Sequence, residues 1–569
     1  MISLRKYILD AFDDYLGKNK KLKNGILNKR DVLIEKEKIS RFYDEPEHII
    51  DLLIWPPNTF IILTNILDKN GNYRRFVSPN GIHGWSKKDL SKATELSETW
   101  HKILTLPYEK IQIDDIYKVV TSLQKLFNHD TLKKDISLLL EDNEFITQAL
   151  TLTIASDEAF KFSKLKNVPK GSVYAETLKQ LSVTNEPSKS QLSFSNHHFG
   201  TIQRKNTVCQ SGISLNSISQ HLTNIRPEIN LEVLERTNEI NSNKDIFNIL
   251  ILPWPMKIDR EFFSEVNRDD ILEMDENFGF FSYTPKNAID IDEAVNCSMN
   301  AIVSTGDIDL IVFPECALSI EDSKVIATSL YKRCHFMSVK CPSVITGNYE
   351  NTSHYSRNQI TIFSPPEQDP DLPDVSVTPE LEPVTQKKHH RWYLDRTQIF
   401  NYKLGSNLSP RKKWWEFIDV DERKLITYQC HDNNIQITPL ICEDLARQDP
   451  VAPAVRALGP TLIIALLLDG PQLKNRWPGR YASFLSEDPG SSVLTVTPLG
   501  MTLRSDGSGL KPSRVVSFWS EPSSHRELSL DEGKRSIILT LEKRDILQWT
   551  ADGRQGERTA LHYAGHICL

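Results

Sequence analysis

The sequence predicts a layered α/β fold for its C-terminal part and a mainly helical domain before it. Three observations carry this. Short apolar runs recur after residue 246: FNILILPWP, IDLIVFPE, SVITGNY, QITIFSP, IQITPLIC, TLIIALLL and SSVLTVTP. Helical patterns at 289–303, 320–334 and 449–458 fall between several of them, as expected of strands buried on both faces and crossed over by helices. The first 165 residues instead place apolar side chains at helical spacing, beginning with Leu4, Tyr7, Ile8, Ala11, Phe12, Tyr15 and Leu16.

Taken in order, residues 1–165 form a helical domain with further patterns at 90–105, 114–128 and 131–160. Within it, DLLIWPPNTFIILTNILDKNGNY sets an apolar run between a WPP turn and a DKNGNY turn, consistent with a helix or hairpin packed under Trp55. The basic run KNKKLKNGILNKR at 18–30 reads as a solvated helix end or loop. Residues 166–245 are rich in Ser, Asn, Gln and Lys and read as a polar linker holding one short helix near 228–240. Residues 246–569 carry the α/β pattern. One insertion, SPPEQDPDLPDVSVTPELEPVTQKKHH at 364–390, holds six prolines and turns from acidic to basic. It reads as a surface loop, or as a lid, since prolines exclude a central strand or helix.

Composition narrows the function classes. A net charge of −7 gives no global basic field for nucleic acid or an anionic membrane. The apolar run LIIALLL at 462–468 is far shorter than the ~20 residues that span a bilayer. Eight cysteines in 569 residues form no CxxC pair and no zinc spacing; Cys442, Cys430, Cys316 and Cys297 lie in or beside apolar stretches and read as reduced thiols, and the protein is expected to be cytoplasmic. HHRWY at 389–393 and LHYAGH at 561–566 contain histidines without carboxylate or cysteine partners at ligand spacing. No phosphate-binding glycine loop is present. No metal and no organic cofactor is expected.

Chemistry concentrates at strand ends. ITPLICEDL places Cys442 after an apolar run, DLIVFPECAL ends another in Glu315, and IFNYKLGSNLSP carries Lys403 in a strand-like aromatic setting. A thiol that attacks an amide needs a base, a stabiliser for the oxyanion and a proton for the leaving amine. A partly buried glutamate and a neighbouring lysine have the functional groups for these tasks.

Glu315, Lys403 and Cys442, in that chain order, resemble the catalytic set of the nitrilase (carbon–nitrogen hydrolase) superfamily over roughly 246–505. NILILPWP resembles the first strand of that fold. Asn358 opens a matching strand, Arg456 and Gly459 follow the nucleophile, and RYASFLSEDPGSSVLTVTPLG resembles a later helix and strand. The resemblance implies a nitrilase-like α-β-β-α sandwich, a homo-oligomer, and roles for the three residues: Glu315 as general base, Lys403 as stabiliser of the tetrahedral intermediate, Cys442 as nucleophile. It also implies a second acid, for which Glu416 in RKKWWEF is the candidate. As the residue after the nucleophile, Glu443 offers its backbone N–H to the oxyanion. ICEDL leans toward the glutamine-amidase branch, hence hydrolysis of a small non-peptide amide. The alternatives are an acyltransferase on the same fold, or a regulatory interaction module, as in bacterial defence systems, whose N-terminal domain contacts a protein partner. Trp414 and Trp415 either line a pocket or pack under the insertion.

Overall fold

The computed structural model describes residues 2–18, 49–77, 85–161, 171–184, 191–210, 212–235, 245–266, 275–285, 288–352, 355–365, 381–430, 435–505 and 513–569. The chain divides into two compact units. The first is Met1–Glu232 with Pro453–Gly459 and Leu547–Arg558; the second is Val233–Ala452, Pro460–Ile546 and Thr559–Leu569.

The first unit is helical, as predicted. Its longer helices are Leu4–Ala11, Pro56–Asp68, Lys87–Thr105, Ile113–Leu126 and Asn143–Ala159. Their ends are written in the sequence. Ser86 and Asp89 form a reciprocal capping box, and Asp142 accepts from the Glu144 and Phe145 N–H groups. The WPP motif proves to be a helix start with proline in the first turn, where its missing N–H costs nothing. Trp55 is fully buried against Phe160 and Tyr174, and its indole N–H donates to the Leu192 carbonyl at 2.7 Å.

The polar stretch 166–245 is not a linker where it is described. It forms the helix Val173–Thr184, an antiparallel pair Thr201–Arg204 with Leu222–Ile225, and the strand Asn230–Glu235 in place of the expected helix near 228–240. The polar residues order it by bonding to one another and to the helices. Gln191, Ser193 and Ser195 make a buried network, Asn58 accepts from the Phe194 N–H, and Asp157 accepts from the backbone of Gln220, His221 and Leu222. Phe194, Ile202 and Leu222 complete the apolar core. The basic run 18–30 lies, apart from Lys18, outside the described residues.

The chain returns to this unit late. Arg554 reaches the end of the helix Asn143–Ala159, pairing with Glu158, approaching Asp157 at 3.8 Å and Asp552 at 3.0 Å, and donating to the Ile218 carbonyl. Burial works against the Glu158 charge, but His221 and Arg554 outweigh it and hold its carboxyl at about 2.

The second unit contains two large sheets. One runs in the order 384–387, 356–363, 343–351, 310–312, 246–251, 537–549, 555–568, with 318–319 also paired to 343–351; the other runs 524–529, 515–521, 492–496, 462–466, 435–441, 424–430, 230–235. Their facing sides share one core: Phe247, Ile249 and Ile251 meet Ile437, Ile464 and Val496. Alternate residues Leu250 and Leu252 turn outward under the helices Ile291–Thr305 and Ile320–Phe336. The helix Trp477–Glu487 packs on the second sheet. This is the predicted α-β-β-α sandwich. A small sheet, 393–394, 413–416, 278–283, 263–266, lies beside it in the same unit. Among the described residues no helix is long and apolar enough to cross a membrane.

Removing one partner of a buried ion cluster strands the others. Arg554→Met is therefore expected to destabilise the first unit by about 3–5 kcal/mol, read by thermal unfolding and by faster amide exchange in the helix Asn143–Ala159. Unchanged exchange there would show that the cluster does not hold this unit together.

Candidate active site

Glu315 lies just beyond the strand Leu310–Val312, on a turn that Pro314 starts and Cys316 completes at φ 51°. Gly347, in the strand Ser343–Asn351, lets this turn come close: a Cβ there would lie 2.3 Å from the Pro314 carbonyl and 2.5 Å from the Glu315 Cα. Asn358 sits in the next strand, opposite Tyr349. The edge strand Val384–Lys387 delivers Lys388, whose N–H donates to the Asn358 carbonyl at 2.9 Å. Glu416 ends the strand Lys413–Glu416 of the small sheet. Cys442 comes from the other large sheet, directly after the strand Ile435–Ile441, at φ 42°. That is a strained conformation for a residue with a side chain, of the kind that clusters at functional turns.

Lys388 joins these pieces. Its ammonium lies 2.8 Å from Glu315 Oε1 and 2.7 Å from Glu416 Oε2, and its side chain has no solvent exposure. Asn358 Nδ2 donates to the same two carboxylates, at 2.8 Å to Glu315 Oε1 and 2.7 Å to Glu416 Oε1, and the Trp392 N–H adds a bond to Glu416 Oε2 at 3.0 Å. Two buried atoms of the cluster accept no hydrogen bond, Glu315 Oε2 and Asn358 Oδ1, and of the two carboxylates only Glu315 has an oxygen to spare.

The electrostatics follow from this packing. Burial pushes the Glu315 carboxyl up, and Lys388 only partly opposes it. Burial would strip Lys388 of its proton, but Glu315 and Glu416 hold its pKa well above the ordinary lysine value. That stabilising contribution is complete at neutral pH and is lost only as pH climbs past the lysine range. Burial and the Glu315 charge push the Cys442 thiol well above its usual value. The resting site therefore holds a protonated thiol, a cationic lysine, and a glutamate oxygen with spare acceptor capacity.

The predicted residues sort as follows. Glu315, Glu416 and Cys442 come together. Lys403 does not join them: it is exposed, in the turn after the helix Arg396–Asn401, at φ 54°, and its carbonyl accepts from Arg504 at 3.2 Å. The lysine of the cluster is Lys388, in the tail of what reads as a proline-rich loop. Residues 366–380 of that loop lie outside the described residues, so the lid reading does too. Glu443 directs its carboxylate to Arg447, at 2.6 Å and 3.0 Å. Trp414 is buried packing, pressed on Gly279, while Trp415 is partly exposed.

Sequence reasoning also missed His389. Buried beside Lys388, it shares Asp444 through both its backbone N–H and its Nδ1, at 3.0–3.2 Å, and its Nε2 lies 3.0 Å from the Lys424 carbonyl. The carboxylate partner absent near HHRWY is two residues past Cys442. Glu315, Cys316 and Glu416 place ligand atoms within 4.8 Å of one another. The Lys388 ammonium, however, already holds the position between the two carboxylates that a cation would take.

Two predictions test this geometry. Glu315→Gln removes a negative charge beside Cys442, so the pH profile of Cys442 alkylation, followed by peptide mass spectrometry, moves to lower pH; an unmoved profile would mean that the two groups do not interact. Gly347→Ala forces the Glu315 turn away and costs about 1–3 kcal/mol of stability, with a matching displacement of that same pH profile; wild-type stability and labelling would refute the close approach.

No family model and no curated protein matches the sequence. Solved structures do match in part. The glutamine-dependent NAD+ synthetase of Acinetobacter baumannii is 12% identical over 52% of this chain and 46% of its own, with a TM-score of 0.29. Nit3 of Saccharomyces cerevisiae, a member of branch 10 of the nitrilase superfamily, is 13% identical over 54% of this chain and 93% of its own, TM-score 0.30. A carbon–nitrogen hydrolase of Helicobacter pylori is 10% identical over 56% and 89%, TM-score 0.29. The chain thus spans less than half of the synthetase. About half of it resembles nitrilase-superfamily structures, a likeness of fold alone.

Proposed function

We propose that the second unit is a carbon–nitrogen hydrolase that cleaves a small non-peptide amide through a thioester on Cys442. The observation that carries this reading is the Lys388 ammonium held between two buried carboxylates beside a strained cysteine. In the first step the Cys442 sulfur bonds to the amide carbon, the thiol proton passes to Glu315 Oε2, and the carbonyl electrons move onto oxygen. Lys388 and the Glu443 backbone N–H stabilise that oxyanion. The oxyanion then collapses, the C–N bond breaks, and Glu315 returns the proton to the departing amine. Water attacks the thioester and Glu315 takes its proton; the C–S bond breaks to release the acid, and Glu315 passes that proton to the departing Cys442 sulfur. Glu416 holds Lys388 and Asn358 in place. Lys388 thus takes the part that the sequence suggested for Lys403. The resemblance of the Glu315 and Cys442 sequence segments to the nitrilase superfamily favours the same chemistry. All eight cysteines are free, which suits a reducing compartment, and we place the protein in the cytoplasm. A homo-oligomer and a protein partner for the first unit belong to the same proposal.

The test is ammonia release from a panel of small amides by the full chain. Cys442→Ala abolishes it, and Glu315→Gln lowers it by about 10²–10⁴. Lys388→Met lowers it by about 10²–10³, whereas Lys403→Met stays near wild type. Activity that survives Lys388→Met but not Lys403→Met would overturn the assignment. Acyl transfer to an added amine in preference to water would make the enzyme a transferase.

A further inference from the structure

We infer that Asp469 forms a subsite beside Cys442 for a protonated amine on the acyl portion of the substrate; this rests on the hydrolase reading above. The strands Ile435–Ile441 and Leu462–Leu466 run side by side in parallel, with Ile441 opposite Leu466. Cys442 is the first residue past one strand and Asp469 the third past the other. Both thus leave the carboxyl ends of neighbouring strands, where open α/β sheets bind their ligands. Strand spacing and rise put their backbones roughly 8 Å apart. The Asp469 charge registers on the Cys442 thiol.

The Asp469 carboxylate is buried and unevenly used. Oδ1 accepts from the Tyr402 hydroxyl and from Arg476 Nη2 at 2.9 Å. Its backbone is pinned by Thr497, whose hydroxyl donates to the Asp469 carbonyl at 2.6 Å and accepts from the Asp469 N–H at 3.1 Å. Oδ2 is buried and accepts nothing. A buried carboxylate oxygen without a donor is costly, and a structural Asp–Arg pair does not account for it. Arg476 also gives Nη1 to the Pro471 carbonyl at 3.0 Å and could have engaged both oxygens side by side.

Tyr402 ties this group to the catalytic cluster. Its ring lies 6.0 Å from that of Trp392, the residue whose N–H holds Glu416. Tyr402, Trp392, Leu468 and Cys316 share one packed cluster. Burial and the Asp469 charge keep the Tyr402 phenol protonated as a donor. A ligand group meeting Oδ2 must itself donate, and the negative charge favours a cation. Arg476 supports the opposite reading, a carboxylate-bearing substrate, if its guanidinium rather than Oδ2 faces the ligand.

The experiment uses the full chain and two amides of equal length, γ-aminobutyramide and pentanamide, with glutaramate as the anionic counterpart. Each is tested for protecting Cys442 from alkylation, and separately for turnover. γ-Aminobutyramide is expected to protect at about 10–100-fold lower concentration than pentanamide. Asp469→Asn keeps an acceptor for Tyr402 and Arg476 but replaces Oδ2 with an NH₂ group. It should erase that difference, so that the two amides protect at the same concentration. Equal protection by the two amides in the wild type, or preferential protection by glutaramate, overturns the inference. Selective protection without turnover of any amide supports the subsite and instead defeats the hydrolase reading.

Discussion

A lysine that gives up all contact with water must be surrounded by negative charge, and that requirement organises the second unit. Lys388 is held by two carboxylates that come from different sheets, each also bonded by Asn358. Two buried glutamates without the lysine would repel each other and take up protons; the lysine without them would lose its own. The three charges are therefore one object. Of the two glutamates, Glu315 is the one with an oxygen outside the network, as its proposed part in proton transfer requires.

This object sits where the two large sheets must hold their register. Gln386, one turn of the pleat before Lys388, donates to the Pro439 carbonyl at 3.2 Å and accepts from the Ile426 N–H at 2.7 Å, both in the opposite sheet. His389, just after it, is fixed to Asp444 behind Cys442. The lysine is thus flanked on both sides by bonds to the sheet that carries Cys442. The thiol and its neighbours are set by sandwich packing, with no need for a mobile loop to deliver them.

The strand pattern was legible because buried strands leave unbroken apolar runs, and Glu315 and Cys442 stood out because each ends one. Lys388 did not. Its strand is a short edge strand with only Gln386 fully inward, preceded by prolines, and no apolar run announces it. Lys403 drew attention because aromatic neighbours imitate a strand, yet those neighbours belong to a short helix and a turn. The polar stretch after residue 166 misled for another reason. Its order comes from side-chain hydrogen bonds to helices far away in sequence, and composition records hydrophobicity, not partnership. His389 and Asp444 are likewise paired across a gap that local spacing cannot bridge.

The helical unit is finished by chain that lies hundreds of residues later. Pro453–Gly459 and Leu547–Arg558 belong to it, and the guanidinium that faces Asp157 and Glu158 comes from the second of these. On a ribosome, the first unit stays incomplete, with no guanidinium beside Asp157 and Glu158, until residues 547–558 have emerged. Neither unit is a cassette that recombination can lift out at a single boundary. Inheritance of the helical unit is bound to that of the sandwich, however much their surfaces diverge.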